Sequence, residues 1–294
     1  MKKFIISDLH GNGNIYDSII GYLENVNKDY ELTLYINGDL IDRGDYSAYM
    51  LLDVIKRIKN NEGFKIKYLA GNHELMMYQA YKRRYQGIFP RFCDWFINGG
   101  EKTLNPLEQL LSEEEIKKVV EFISKLEIYH KFKEKLDDKN IVLVHAKCPR
   151  KVEDICNIRI EDNDYRVTSA LWTREQDLIP VVNDNLGNKD YFTIIGHTPL
   201  TTKTGYKYYS KYNCLNIDGG CAAYVLGYKQ YDHVPLVEID DNNKLDILTF
   251  SNDNEIISGN YFYDKKSYRM NDFILDEKRK YISNESKIMK LKKE

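Results

Sequence analysis

Leu32-Thr33-Leu34-Tyr35-Ile36-Asn37-Gly38-Asp39-Leu40-Ile41-Asp42-Arg43-Gly44 opens on an apolar run of strand length and breaks at a glycine into an acidic loop. A helical pattern near Tyr46–Lys59 follows. The same unit recurs on either side. Phe4–Ser7 ends in Asp8-Leu9-His10-Gly11 ahead of a helix near Ile15–Val26. Ile66–Ala70 ends in Gly71-Asn72-His73-Glu74 ahead of a helix that starts at about Glu74 and continues through Leu75–Tyr85. This βαβαβ rhythm predicts a mostly parallel, buried sheet. In such sheets the functional loops lie at the carboxyl ends of the strands. Two later strands, Ile141–Val144 and Phe192–Ile195, also end in donor residues, His145 and Gly196-His197-Thr198.

The remaining chain is read more coarsely. Ser112 followed by Glu113, Glu114 and Glu115 marks a helix start with an acidic first turn. Residues 78–135 read as a helical insertion beside the motif loops. Cys214–Ile217 is a further strand, and Ala223–Gln230, Val234–Ile239 and Leu245–Phe250 read as antiparallel strands. Residues 1–270 form one domain in this reading, and 271–294 a polar tail. From Glu277 to Glu294 the tail carries seven basic and three acidic residues.

The 294 residues suffice for a full core without staples. With 43 basic and 45 acidic residues the net charge is −2, which does not fit a general nucleic-acid binder. Five scattered cysteines without a Cys-x-x-Cys pair read as reduced thiols rather than a disulfide framework. The first strand starts at Lys3, leaving no room for a signal peptide, and no apolar run reaches membrane-spanning length. The expected location is the cytoplasm, with no membrane partner.

The motif residues have the chemistry of a two-metal site. The turn after the first strand lets Asp8 and His10 face one ion. Asp39 has two carboxylate oxygens and can bridge two ions. Asn72 offers a neutral amide oxygen, and His145 and His197 offer imidazole nitrogens. Oxygen and imidazole donors without thiolate suit Mn²⁺, Fe or Zn²⁺ better than Ca²⁺ or Cu⁺.

Together these motifs resemble the phosphoprotein phosphatase branch of the calcineurin-like metallophosphoesterases, over residues 4 to about 225. That branch includes bacterial and phage serine/threonine phosphatases and symmetrical diadenosine tetraphosphate hydrolases. The resemblance implies a four-layer α/β/β/α sandwich with mixed sheets and two divalent metal ions, manganese foremost and iron or zinc as alternatives. It assigns Asp8, His10 and Asp39 to the first ion, and Asp39, Asn72, His145 and His197 to the second. His73 becomes the general acid, oriented by Asp42. Arg43 grips phosphate, and Arg174 in Leu171-Trp172-Thr173-Arg174 is the match for a second gripping arginine. The chemistry agrees. Two cations depress the pKa of a bridging hydroxide, so no protein base is needed for in-line attack. The leaving alkoxide needs a proton, a step worth about 10²–10⁴-fold. A planar guanidinium matches two phosphate oxygens. Pro199 follows Gly196-His197-Thr198 where the nuclease branch has a further histidine, which points to the phosphatase branch.

The implied substrate is a phosphorylated protein, phosphoserine or phosphothreonine, or a small phosphate ester. The alternative is a dinucleoside polyphosphate; Lys82, Arg83, Arg84, Tyr85, Phe89 and Arg91 read either as the groove that would hold it or as a solvated helix face. His130 and His233 read as packing residues and Cys221 as a buried structural thiol. Glu74 reads as a supporting group or an ordinary acid in the first turn of a helix. Trp95, Gly99 and Gly100 either border the substrate cleft or stop a helix.

Overall fold

In a computed structural model, the described residues are 1–85, 94–148, 157–162, 164–174, 190–202, 204–209, 213–242, 244–252, 255–260 and 265–269. The polar tail, Phe89, Arg91, Cys93 and Cys156 lie outside them.

The first half runs β1 (Lys2–Ile6), α1 (Gly13–Val26), β2 (Leu32–Asn37), α2 (Ser47–Asn60), β3 (Lys65–Leu69) and α3 (Asn72–Tyr85). Helices α4 (Asp94–Ile97), α5 (Glu101–Leu110) and α6 (Glu113–Ser124) follow, then β4 (Tyr129–Leu136), β5 (Lys139–Val144), α7 (Tyr165–Trp172) and β6 (Tyr191–Ile195). The chain continues with β7 (Lys207–Tyr209), β8 (Cys214–Asn216), α8 (Cys221–Val225), β9 (His233–Ile239), β10 (Leu245–Ser251), β11 (Glu255–Asn260) and β12 (Lys265–Arg269).

The strands form two mixed sheets, ordered β12-β11-β10-β9-β1-β2-β3 and β4-β5-β6-β8-β7. Within them β1, β2 and β3 are mutually parallel, as are β5, β6 and β8. Strand alternation explains how two cores arise. Ile5, Tyr35, Leu69, Val237 and Ile247 of the first sheet share a core with Phe132, Ile141, Leu143, Ile194 and Leu215 of the second. Their neighbours Phe4, Ile6, Leu34 and Ile36 point the other way and join Ile19, Leu51, Val54 and Met77 of α1–α3. Val142 and Val144 likewise leave the inter-sheet core and join the cluster that holds Ala170 and Leu171 of α7. The two sheets thus lie face to face with helices outside, the α/β sandwich the motifs implied.

Two readings change. The helical segment ends at Ser124, short of 135, because Tyr129–Leu136 is the edge strand β4. Its apolar residues Tyr129, Phe132 and Leu136 have helical spacing, but a bulge between Lys131 and Lys135 resets the strand alternation. Ala223–Gln230 is not a strand: Gly220, at φ +85°, turns the chain straight into α8. A short apolar run cannot separate helix from strand by periodicity. Helix α7 and strand β7 carry little sequence signal and went unread. The Ser112 start of α6 is confirmed as a capping box with Glu115. Among the described residues no helix is long and apolar enough to cross a membrane.

Candidate active site

Every motif residue sits immediately beyond the carboxyl end of a parallel strand: Asp8 and His10 after β1, Asp39 after β2, Asn72 and His73 after β3, His145 after β5, His197 after β6. The strands' hydrogen bonding and burial fix these loops, and the chain bends sharply to hold them. Asp8 (φ +56°), His10 (+44°), Asp39 (+50°), Asp42 (+71°), Arg43 (+69°) and His197 (+67°) all take the left-handed backbone conformation. Each such residue stores free energy that the surrounding packing must offset, a pattern concentrated at functional sites. Gly71 lets two loops touch, since a Cβ there would lie 2.2 Å from Asp39 Oδ1.

Asp8, His10, Asp39, Asn72, His73, His145 and His197 are all buried. Hydrogen bonds to main-chain carbonyls fix which imidazole nitrogens are free. His145 Nδ1 lies 2.8 Å from the Asn37 carbonyl and must donate to it. Its Nε2 then faces Asn72 Oδ1 at 3.1 Å and Asp39 Oδ1 at 3.4 Å. His10 Nδ1 donates to the Ile41 carbonyl at 3.1 Å, leaving Nε2 3.4 Å from Asp39 Oδ2. His197 Nε2 donates to the Trp172 carbonyl at 3.2 Å, leaving Nδ1 free. The free His197 nitrogen, His145 Nε2 and the Asp39 and Asn72 oxygens thus face one another, an arrangement that a bound cation, or a proton on His145, satisfies. Two groups, Asp39–His145–His197 and His10–Asp39–His73, each bring ligand atoms within 4.8 Å of one another, and Asp39 belongs to both. The donor set fits two divalent ions of oxygen- and nitrogen-preferring type.

Charge balance supports this fit. Burial raises the Asp39 pKa, yet the facing His145 and His73 hold it well below the usual carboxylate range. Burial works against a charged His145, but the Asp39 and Asp8 carboxylates push its pKa up to about 10. Without a metal, a proton on His145 supplies the positive charge. Burial and the neighbouring Asp218 carboxylate push Asp8 up. Asp8 lies outside both groups of three, and its carboxylate accepts the His197 N–H at 3.0 Å and the Ser7 hydroxyl.

His73 Nδ1 lies 2.7 Å from Asp42 Oδ2, and its buried Nε2 has no hydrogen-bond partner. Burial pushes Asp42 up to about 7, and burial with the nearby Arg43 pulls His73 down to about 4. At 2.7 Å one hydrogen-bonded proton lies between the two groups. Arg43 Nη1 donates to His10 Nε2 at 2.9 Å, and Arg174 Nη1 donates to the His197 carbonyl at 2.6 Å. Both arginines therefore reach the cluster.

Several supporting residues surround these groups; the sequence left Glu74, Trp95 and Gly99 open and carried no signal for Asn37, Asn216 or Thr103. Glu74 accepts N–H groups from Asp39 (2.9 Å), Leu40 (3.1 Å) and Gly71 (2.7 Å) and the Tyr68 hydroxyl (2.6 Å). Asn37 donates its side-chain N–H to the Val144 carbonyl at 3.1 Å, tying the two sheets together beside His145. Asn216 donates to the Thr198 carbonyl at 2.9 Å and steadies the His197 loop. Asp218 is a further buried carboxylate in the site. Trp95, left open by its sequence, donates Nε1–H to Asp42 Oδ2 at 2.8 Å, and Thr103 donates to Oδ1 at 2.5 Å. Gly99 backs Arg43, accepting its main-chain N–H at 3.1 Å. The other minor readings are simpler. His130 packs between Tyr35 and Phe132 with ring centroids 4.8 Å apart, and Cys221 is a buried free thiol. His233 lies on β9.

Comparison with solved structures returns the same fold at low sequence identity. A protein serine/threonine phosphatase from Saccharomyces cerevisiae matches at TM-score 0.56 and 16% identity, over 85% of this chain and 80% of its own. A cold-active protein-tyrosine phosphatase of a psychrophilic Shewanella matches at TM-score 0.50 and 13% identity, over 87% of this chain and 80% of its own. Comparison with curated proteins returns no match. The family model of the calcineurin-like phosphoesterases matches residues 1–237, spanning all the loops described above. The chain belongs to the calcineurin-like phosphoesterase family and is a phosphoester hydrolase of the metal-dependent type.

Proposed function

We propose that the chain is a phosphatase of phosphomonoesters, with phosphoserine and phosphothreonine in proteins as its substrate class. The observation that carries this reading is the juxtaposition of the Asp39-centred donor groups with the unpartnered Nε2 of His73, 3.9 Å from Asp39 Oδ2. Two ions held by Asp8, His10, Asp39, Asn72, His145 and His197 would activate the attacking water and offset the phosphate charge. Oxygen and imidazole donors suit manganese, iron or zinc; we take manganese as the ion and the cytoplasm as the location. We further take residues 1–270 as one catalytic domain and 271–294 as its tail.

The chain's own residues then complete the reaction. Arg43 and Arg174 approach from the β2 and α7 sides and can take phosphate oxygens. A phosphate dianion near His73 Nε2 favours the imidazolium form, because Asp42 accepts from Nδ1 at 2.7 Å. His73 can then deliver its Nε2 proton to the departing oxygen. The alternative nucleotide groove finds less support. Arg84 is engaged with Glu108 at 2.6 Å and lies over Tyr81.

The test compares kcat/KM with Mn²⁺ for a phosphothreonine peptide and for diadenosine tetraphosphate. We expect the peptide to win by at least about tenfold. A preference of that size for the dinucleotide refutes the phosphatase reading and leaves the site assignments standing.

A further inference from the structure

The Asp42 carboxylate is held mainly by residues outside the sheet. Trp95 of α4 donates to Oδ2 at 2.8 Å, and Thr103 of α5 donates to Oδ1 at 2.5 Å. The same Thr103 hydroxyl accepts the Asp42 main-chain N–H at 3.1 Å, so one side chain clasps both the backbone and the carboxylate. The next peptide is fastened too, Arg43 N–H donating to the Gly99 carbonyl at 3.1 Å. All three principal groups are sealed from water: Trp95 is 2% exposed, and Thr103 and Asp42 are 0% exposed. Trp95 is itself packed against Tyr81 and Phe96, with ring centroids 5.9 and 5.7 Å away.

Asp42 has φ +71°, a conformation with no intrinsic preference for this residue. Two bonds to Thr103 and one to Trp95 overcome that bias and fix the plane of the carboxylate, so that Oδ2 meets His73 Nδ1. Without them the carboxylate is free to rotate about its side-chain torsion, and the His73 ring loses the partner that fixes its orientation.

We propose that Trp95 and Thr103 are positioning residues for proton delivery: the helical segment between β3 and β4 builds the seat of Asp42, and through it the aim of His73. The proposal rests on the reading of His73 as the general acid. It differs from a role in substrate binding, since neither side chain is exposed to a ligand.

The leaving group supplies the test. An alkyl phosphate releases a basic alkoxide that needs a proton, whereas p-nitrophenyl phosphate releases an acidic phenol that needs little. The full-length Mn²⁺-loaded protein and its Trp95→Phe, Thr103→Val, Thr103→Ser and His73→Asn variants are assayed with both esters. Mn²⁺ binding to each chelator-treated protein is followed by calorimetry. For Trp95→Phe and Thr103→Val we expect kcat to fall about tenfold further on the alkyl ester than on the aryl ester, the size expected for one charge-assisted hydrogen bond. KM and Mn²⁺ affinity should stay within about twofold. Thr103→Ser keeps the hydroxyl and should recover the wild-type ratio.

Equal losses on both esters, or loss of Mn²⁺ binding, reduce Trp95 and Thr103 to packing residues and overturn the proposal. Failure of Thr103→Ser to restore the ratio overturns it as well. If His73→Asn itself loses equally on both esters, the acid reading has failed, and that result is distinct from a failure at Trp95 and Thr103 alone.

Discussion

The Glu74 carboxylate accepts the main-chain N–H of Asp39 at 2.9 Å, so an acid in the first turn of one helix fixes the loop of another strand. Leu40, Gly71 and Tyr68 give it three further donors, so its carboxylate oxygens accept four hydrogen bonds in all. Glu74→Gln turns an amide N–H toward these donors and should destabilise the chain by about 1–3 kcal/mol. Tyr68→Phe removes a single donor and should cost about 1 kcal/mol. Urea denaturation of the metal-free protein checks both. A change in Glu74→Gln below about 0.5 kcal/mol would contradict the bracing role.

His73 and Asp39 should separate chemistry from metal binding. His73→Asn keeps the Asp39–His145–His197 group intact. It should retain metal and lose about 10²–10⁴-fold in turnover of an alkyl phosphate. Asp39→Asn breaks both groups at once, and elemental analysis should show it depleted of metal. Full occupancy in that variant excludes a bridging role for Asp39.

His145 gives a pH dependence whose sign is fixed. Burial disfavours its charged form, but Asp39 and Asp8 outweigh burial and place its folded pKa at about 10. The unfolded value is about 6.5. A pKa raised on folding gives stability that is fully present below about pH 6.5 and lost as pH rises through about 10. The Tm of chelator-treated protein should therefore fall across that window, and His145→Gln should flatten the fall. Metal binding must also expel this proton. Calorimetry at pH 8 in buffers of different ionisation enthalpy should detect about one proton released, and no buffer dependence would count against the assignment.

Gly71 is a steric requirement. A Cβ there would lie 2.6 Å from Asp39 N and 2.2 Å from its Oδ1. Gly71→Ala should cost about 1–3 kcal/mol through overpacking and displace Asp39. Thermal denaturation and metal titration read the two effects, and a variant normal in both removes the constraint.

The sequence alone determined the parallel strands, the loops that follow them and the donor residues those loops carry. These are local properties: apolar runs of strand length, glycine breaks, and Asp, Asn and His at strand ends. Asp8, His10, Asp39, Asn72, His73, His145 and His197 were all legible, because each motif is contiguous and opens where a strand stops. The bulged strand β4 and helix α8 were misread because local periodicity is ambiguous in short segments. Tertiary structure decided what lies between the motifs. Nothing local to Glu74, Asn37, Trp95 or Thr103 announces a partner 34, 107, 53 or 61 residues away. Such bonds form only after the sheets and helices have brought distant segments together. Burial then makes the bonds obligatory, because an unpaired polar group shielded from water costs more than any alternative the local sequence offers.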